Sequence, residues 1–520
     1  MVRVRSGALP VVAVDRQSHK PMYKQLYEGY RAAIVERRLS GGQRLPSTRS
    51  LAAELRISRI PVLNAFEQLL AEGYFESRPG AGTFVAKALP EALSRPIRPP
   101  ANGTPPSQAP PGQRILARRS QELLADEPGT WLAGLEPFHC PSPPLDLFPN
   151  KIWSSLVTRH GRRFDAGRPA SNDPMGLPIL REAVAGYLRS ARAVRCEAAQ
   201  IMIVSGSQQA LDLTGRVLLE EGSPVWVEEP GYFGTQRALT MAGARLVGVP
   251  VDDEGLDVEA GLALCPRPRA VYVTPSHQLP LGVTMSASRR LRLLELARRR
   301  GSWIVEDDYD GEYRYGNLPI ASLQGLDRDA RVLYLGTFTK SLFPTLRVGY
   351  MVLPSDLVDP VSAVRRSMDM YTPPFLQEVL ADFILEGHFD RHLRKTRSIC
   401  RERRSALVEA VENELGSRVR IVGDQAGMFL TIVLPKRYRD REVVLRAARE
   451  GVRTFPLSSC YLGRPGLEGL VLGYGGFGPE QIVPAVRRLR KVLVALAPAS
   501  QRRSRAGSAL TPTATAAARR

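Results

Sequence analysis

The sequence predicts a multidomain protein: a small, mainly α unit at the N-terminus, then a large α/β unit built on a mostly parallel sheet. Three observations lead there. Residues 20–86 are dense in helix caps and helical apolar spacing, and they end in two short apolar runs around a Gly-rich turn. Further on, the strand-like runs "SPVWVEEPGY", "RAVYVTPSHQ", "SWIVEDDYD" and "RVLYLGTFTK" alternate with helical stretches such as "SASRRLRLLELARRRG". That alternation fits parallel strands joined by crossover helices on both faces. Between the two units, "SRPIRPPANGTPPSQAPPGQ" cannot bury enough apolar surface to pack. The expected bounds are 1–88 for the small unit, 89–130 for a Pro-rich linker, 131–497 for the large unit and 498–520 for a disordered basic tail.

Charge points to a polyanionic partner. Lys and Arg number 72 against 52 Asp and Glu in 520 residues, an excess of 20. The ends are the most densely basic parts: residues 1–88 hold fourteen basic and seven acidic residues, and 498–520 hold five arginines and no acid. The five cysteines, at 140, 196, 265, 400 and 460, form no CxxC pair, and the six histidines lack metal-ligand spacing. Neither a metal site nor a disulfide framework is expected. No apolar run approaches the ~18 residues of a membrane span. The start, "MVRVRSGALPVVAV", has a proline within its apolar stretch and no cleavage site after it. A cytoplasmic protein without membrane contact is expected.

In the small unit, "PMYKQLYEGYRAAIVERRLSGG" puts Tyr23, Leu26, Tyr27, Tyr30 and Ile34 on one helical face and stops at Gly41-Gly42. "PSTRSLAAELR" opens on a Ser47/Thr48 cap and turns Leu51, Ala52 and Leu55 inward. "SRIPVLNAFEQLLAEGYF" opens on a Ser58 cap, with Val62, Phe66, Leu69 and Leu70 at helical spacing and Pro61 tolerable in the first turn. "FESRPGAGTFVA" reads as two short strands around a turn. Three helices and such a wing make a winged helix-turn-helix, whose third helix enters the major groove of duplex DNA. Arg49 and Arg59, near the starts of the second and third helices, can reach phosphates or a guanine edge. This stretch closely resembles the GntR family of bacterial regulators. The resemblance implies DNA contacts at Ser47, Arg49, Ser58, Arg59 and Val62, and at Gly80, Gly82 and Thr83 in the wing.

In the large unit, ligands are expected beyond the carboxyl ends of the strands. Lys340 in "GTFTKSLFPTLRVGY" can form an imine with an aldehyde, and Arg347 nearby helps to lower its pKa. Arg347 and the hydroxyl of Thr337 suit a phosphate dianion. Ser207 and Gln208 in "SGSQQALDL" sit at the mouth of a helix, where free N–H groups favour anions. Asp307 in "EDDYD" can keep a pyridine nitrogen protonated, Tyr309 can donate to a ring oxygen, and Tyr232 in "EEPGYFG" offers a stacking face. Each residue alone is a weak signal, and "DDYD" by itself fits a solvated or metal-binding loop equally well. Together they describe a site for pyridoxal 5'-phosphate.

This unit resembles a fold-type I aminotransferase, with "NDPMGLPILREAVAGYL", "SGSQQALDL", "EEPGYFG", "TPSHQLPLG", "EDDYDGEYRY" and "GTFTKSLFPTLRVGY" in family order. That resemblance implies Lys340 as the Schiff-base lysine and a smaller α+β subdomain over about residues 370–497. Two positions depart from the family pattern. Leu279 stands where most members have an asparagine before the proline, with His277 or Gln278 as its substitute. The segment expected to bring an arginine to a substrate carboxylate reads Leu470, Val471, Leu472, with Arg464 out of register. Nearly the whole chain resembles the MocR subgroup of GntR regulators. That implies a homodimeric transcription regulator in which an amine, or pyridoxal phosphate itself, acts as effector through imine exchange at Lys340. The alternative is an active aminotransferase with a DNA-binding head.

Overall fold

The computed structural model describes residues 12, 14–87, 117, 119–121, 136–140, 142–163, 173–316 and 321–496. Residues 1–115 and 116–520 form separate compact units. The basic tail, and nearly all of the expected linker, lie outside the described residues.

The first unit contains α1 (Met22–Val35), α2 (Thr48–Glu54), α3 (Arg59–Ala71) and an antiparallel pair, β1 (Phe75–Arg78) and β2 (Gly82–Val85). The Ser47 hydroxyl caps α2 by accepting from the Ser50 N–H at 3.1 Å. Ser58 holds the equivalent position before α3 without a side-chain cap bond. The buried face of α1 is Leu26, Tyr30, Ala33 and Ile34, the i, i+4, i+7, i+8 stripe of a helix. Tyr23, expected on that face, lies in the first turn ahead of the stripe and is exposed. Tyr30, Phe66 and Phe75 meet edge to face with centroids 5.0–5.7 Å apart, an arrangement that adds about 0.5–1.5 kcal/mol per pair beyond area burial.

The second unit is built on an eight-stranded sheet of order β3-β10-β9-β8-β7-β4-β5-β6. Its strands are β3 (Ile201–Val204), β4 (Pro224–Glu229), β5 (Arg245–Asp252), β6 (Gly255–Leu256), β7 (Ala270–Val273), β8 (Trp303–Asp308), β9 (Val332–Thr337) and β10 (Gly349–Val352). The run β5-β4-β7-β8-β9 is parallel, and β10 runs antiparallel to both of its neighbours. The central strands are buried along their whole length because helices cover both faces. One face packs on α4 (Asn150–Gly161), α5 (Pro178–Ala191) and the helix Pro374–Leu385. The other packs on α6 (Ser207–Leu218), α7 (Phe233–Met241) and the helix Val358–Met368.

A smaller α+β part follows. Its antiparallel sheet has the order β11-β12-β14-β13, formed by β11 (Arg420–Val422), β12 (Phe429–Leu434), β13 (Phe455–Pro456) and β14 (Glu468–Gly473). The long helix His388–Glu414 and the helix Pro479–Leu496 share its core through Leu407, Val411, Leu430, Leu470, Ile482 and Leu489.

Candidate functional site

The alternation of side chains along β8 decides which of its three acids faces the site. Trp303 and Val305 point to the α6 face, whereas Ile304 points to the other. Asp307 follows the first pair, and Glu306 and Asp308 follow Ile304. Glu306 accepts from the backbone N–H groups of Leu323 and Gln324, both at 2.9 Å. Asp308 accepts from Arg192 Nε at 3.0 Å and from the Tyr334 hydroxyl at 2.5 Å. Burial alone would raise the Asp308 carboxyl, but Arg192 and Tyr334 hold it below its ordinary range.

Asp307 is left facing a cavity of about 210 Å³. Its Oδ2 accepts from the Tyr272 hydroxyl at 2.8 Å. Its buried Oδ1 has no hydrogen-bond partner among the described residues. Burial pushes this carboxyl up to about 7, although Tyr272 and Lys340 pull the other way. Tyr272 was not among the residues the sequence singled out. Its signal lies in strand parity: with Ala270 it lies on the face of β7 that Asp307 shares on the adjacent β8.

Lys340 follows β9 and lines the same cavity. Burial lowers its pKa and Arg347 adds to the effect, whereas Cys140, Asp310 and Asp307 oppose it. Arg347 adopts a left-handed conformation, φ 52°, which side-chain-bearing residues seldom do. Its guanidinium lies over Gly206, where an added Cβ would stand 3.5–3.6 Å from it. Gly206, with φ 127° and ψ 177°, precedes α6, whose N-terminus carries no side-chain cap. Ser207 and Gln208 occupy the first turn of that helix and line the cavity, as does Thr337. Tyr232 lines it as well, and Gln208 Nε2 donates to its hydroxyl at 3.3 Å.

Eight of the nine expected cofactor residues therefore come together: Lys340, Asp307, Tyr309, Tyr232, Ser207, Gln208, Thr337 and Arg347 all line one cavity. His277 does not. It is buried behind Tyr309, its Nδ1 engages Asp310 Oδ2 at 3.0 Å, and its backbone carbonyl accepts from the Tyr309 hydroxyl at 2.8 Å. Its ring packs on Phe429, with centroids 4.4 Å apart. The reason is connectivity, because the turn after β7 folds this segment back under the site. From the segment after β7, Thr274 and Leu279 reach the lining. Together with Phe233, Phe455 and Val471, Leu279 forms an apolar wall. Arg464 is exposed and absent from the lining.

In the first unit, Arg49, Ser58 and Arg59 are exposed around the starts of α2 and α3, as is Ser47. Arg59 Nε donates to Thr48 Oγ1 at 3.2 Å, which ties the two helix starts together. Gly80 and Gly82 give the wing its positive φ values of 73° and 107°. Thr83 is half-buried beside them and pairs with Ser77 across the wing. Val62 departs from expectation. It is fully buried, because with Ala65, Phe66 and Leu69 it forms the inward stripe of α3, and it has no surface to offer DNA.

Comparison with known proteins finds the same two parts. Residues 22–85 match the family model for bacterial regulatory proteins of the gntR family, and residues 166–469 match that for class I and II aminotransferases. The chain is 40% identical over 487 residues to the probable rhizopine catabolism regulatory protein MocR of Rhizobium meliloti, covering 94% of this chain and 96% of that one. The chain belongs to the MocR type of GntR regulators. Another relative is the pyridoxine biosynthesis transcriptional regulator PdxR of Corynebacterium glutamicum, 29% identical, with 91% and 96% of the two chains covered. Among solved structures, the α-aminoadipate aminotransferase LysN of Thermus thermophilus matches with a TM-score of 0.64 and 32% identity, over 74% of this chain and 96% of that one. This MocR-type regulator thus joins a DNA-binding head to an aminotransferase-like domain.

Proposed function

We propose that the cavity holds pyridoxal 5'-phosphate and that an amine effector entering it shifts the homodimer between states of different operator affinity. The observation that carries this reading is one cavity holding an amine of lowered pKa, a cation over a glycine beside an uncapped helix start, and a buried carboxylate oxygen without a partner among the described residues. These groups fit the cofactor end to end. The Arg347 guanidinium and the first-turn N–H groups of α6 would hold its phosphate. Asp307 Oδ1 would hold the proton of the ring nitrogen, and Tyr232 would cover the ring. When bound, pyridoxal phosphate supplies an aldehyde that condenses reversibly with amines. Lys340, its ammonium destabilised by burial, provides a neutral amine at lower pH than a surface lysine.

The effector acts only through a difference in its affinity for the two DNA-binding states. Purified protein should show the near-ultraviolet to visible absorbance of a lysine-linked cofactor, and Lys340→Ala should lose it. A wild type that binds no cofactor sinks this reading. Mobility shifts at stated salt, with and without candidate amines, test the coupling to DNA.

The second reading, an active aminotransferase, is favoured by the completeness of the cofactor lining. It is disfavoured by the wall of Leu279, Phe455 and Val471, which among the described residues presents no cation to an amino-acid carboxylate. Steady-state transamination at roughly 1 per second or faster would establish it.

A further inference from the structure

The outward face of α3 carries two apolar residues. Ile60 is 68% exposed and Leu63 37%, and neither belongs to the apolar core of the head. At about 100° per residue, Ile60, Leu63, Asn64 and Glu67 fall on one face, opposite the buried stripe of Val62, Ala65, Phe66 and Leu69. Asn64 and Glu67 are exposed too. The exposed Arg49 and Arg59 lie beside this face at the helix starts. Their charge suits a phosphate backbone and does not suit an acid-free apolar partner.

We propose that Ile60 and Leu63 read the C5 methyl groups of thymines in the major groove, and that Asn64 pairs with an adenine edge beside them. The inference rests on the head's being a DNA-binding module, and it adds which bases that module reads. The thymine methyl is the one apolar group the major groove displays, and asparagine matches the donor and acceptor of adenine there. The spacing agrees. Ile60 and Leu63 stand about 4.5 Å apart along the helix axis, comparable to the ~3.4 Å step between base pairs. Two side chains so placed meet methyl groups on neighbouring pairs. The half-site under α3 therefore contains a short run of A·T pairs. A pair of apolar side chains set among Arg, Asn and Glu is also small for a protein-docking patch.

The test uses the full-length protein and a random duplex library. Selected duplexes are resynthesised with deoxyuridine at each thymine in turn, which removes only the methyl group. In the wild type, uridine at one or two positions should weaken binding about fourfold per methyl. Ile60→Ala and Leu63→Ala should weaken binding to the thymine duplex by a similar factor and lose the thymine–uridine discrimination. Both residues are exposed, so the melting temperature should not fall. Asn64→Ala should relax the adenine preference at an adjoining position. Indifference to uridine everywhere, or selected sites of G·C pairs alone, would overturn the proposal. So would unchanged DNA affinity in both apolar variants, which would mark the face as a protein contact. A library from which nothing is enriched would overturn the DNA-binding reading itself, and this inference with it.

Discussion

Asp307 is a buried acid that faces the cavity with one carboxylate oxygen lacking a partner among the described residues. Folded, its carboxyl holds a proton up to about pH 7; unfolded, it does so only to about 4. It therefore favours the folded, ligand-free domain in acid, and that contribution is lost as pH rises through about 7. Burial shifts Glu228, Glu306 and Glu312 in the same direction, each up to about 7. A cation placed against Asp307 Oδ1 relieves the cost for that residue alone. Pyridoxal phosphate should then raise the melting temperature more at about pH 8 than at about pH 5.5, and Asp307→Asn should flatten the difference. An equal rise at both pH values would refute this role for Asp307. Gly206 sets a second constraint. With φ 127° it occupies a conformation closed to side-chain-bearing residues, so Gly206→Ala should cost about 1–3 kcal/mol, measured by urea unfolding, and should weaken cofactor binding.

At the level of elements, α3 separates buried from exposed residues, and β8 core-facing from cavity-facing acids, by periodicity. Val62 belongs to the buried stripe of α3. Val62→Ala should destabilise the head by about 1–3 kcal/mol through lost burial and a small cavity, while leaving the selected DNA sequence unchanged. A changed base preference would return Val62 to the interface. In β8, Glu306 and Asp308 serve the fold and Asp307 the cavity. Arg192 is the pairing partner of Asp308 and also donates to the Gly311 carbonyl at 2.6 Å. Removing it leaves a buried carboxylate unpaired, so Arg192→Ala should cost about 3–5 kcal/mol, read from denaturant unfolding of the domain. A loss below about 1 kcal/mol, the range of exposed pairs, would show that solvent reaches Asp308.

At the scale of the whole molecule, the functional question is coupling between the two units. Lys340 has no part in the head, so Lys340→Ala should bind operator DNA within about twofold of the wild type in the cofactor-free form. It should lose the change in affinity that an amine produces. Coupling of a few kcal/mol corresponds to roughly 5–150-fold in affinity, well within reach of a titration at constant salt. If the variant still responds to the amine, the effector acts elsewhere. Head-only changes such as Ile60→Ala should leave the cofactor spectrum untouched.

Much of this was legible without coordinates. The helices of the head follow from the cap at Ser47, from Ser58 at the N-cap position of α3 and from apolar spacing. The parallel strands follow from strand-like apolar runs that alternate with helical stretches. That Lys340, Arg347, Asp307 and Tyr232 gather around one cavity was legible because they stand near strand ends, where a doubly wound sheet brings its loops together. Three things needed the tertiary structure. Val62 went inward because the phase of α3 is set by what the helix packs on. His277 went behind Tyr309, with Leu279 in the lining, because a turn's path depends on contacts far away in sequence. Tyr272 reached Asp307 because two strands some thirty residues apart share a face in register. Local sequence determined the elements and the chemical groups they carry. Which face each group met was decided by packing, since burial is a property of neighbours that the chain brings together only on folding.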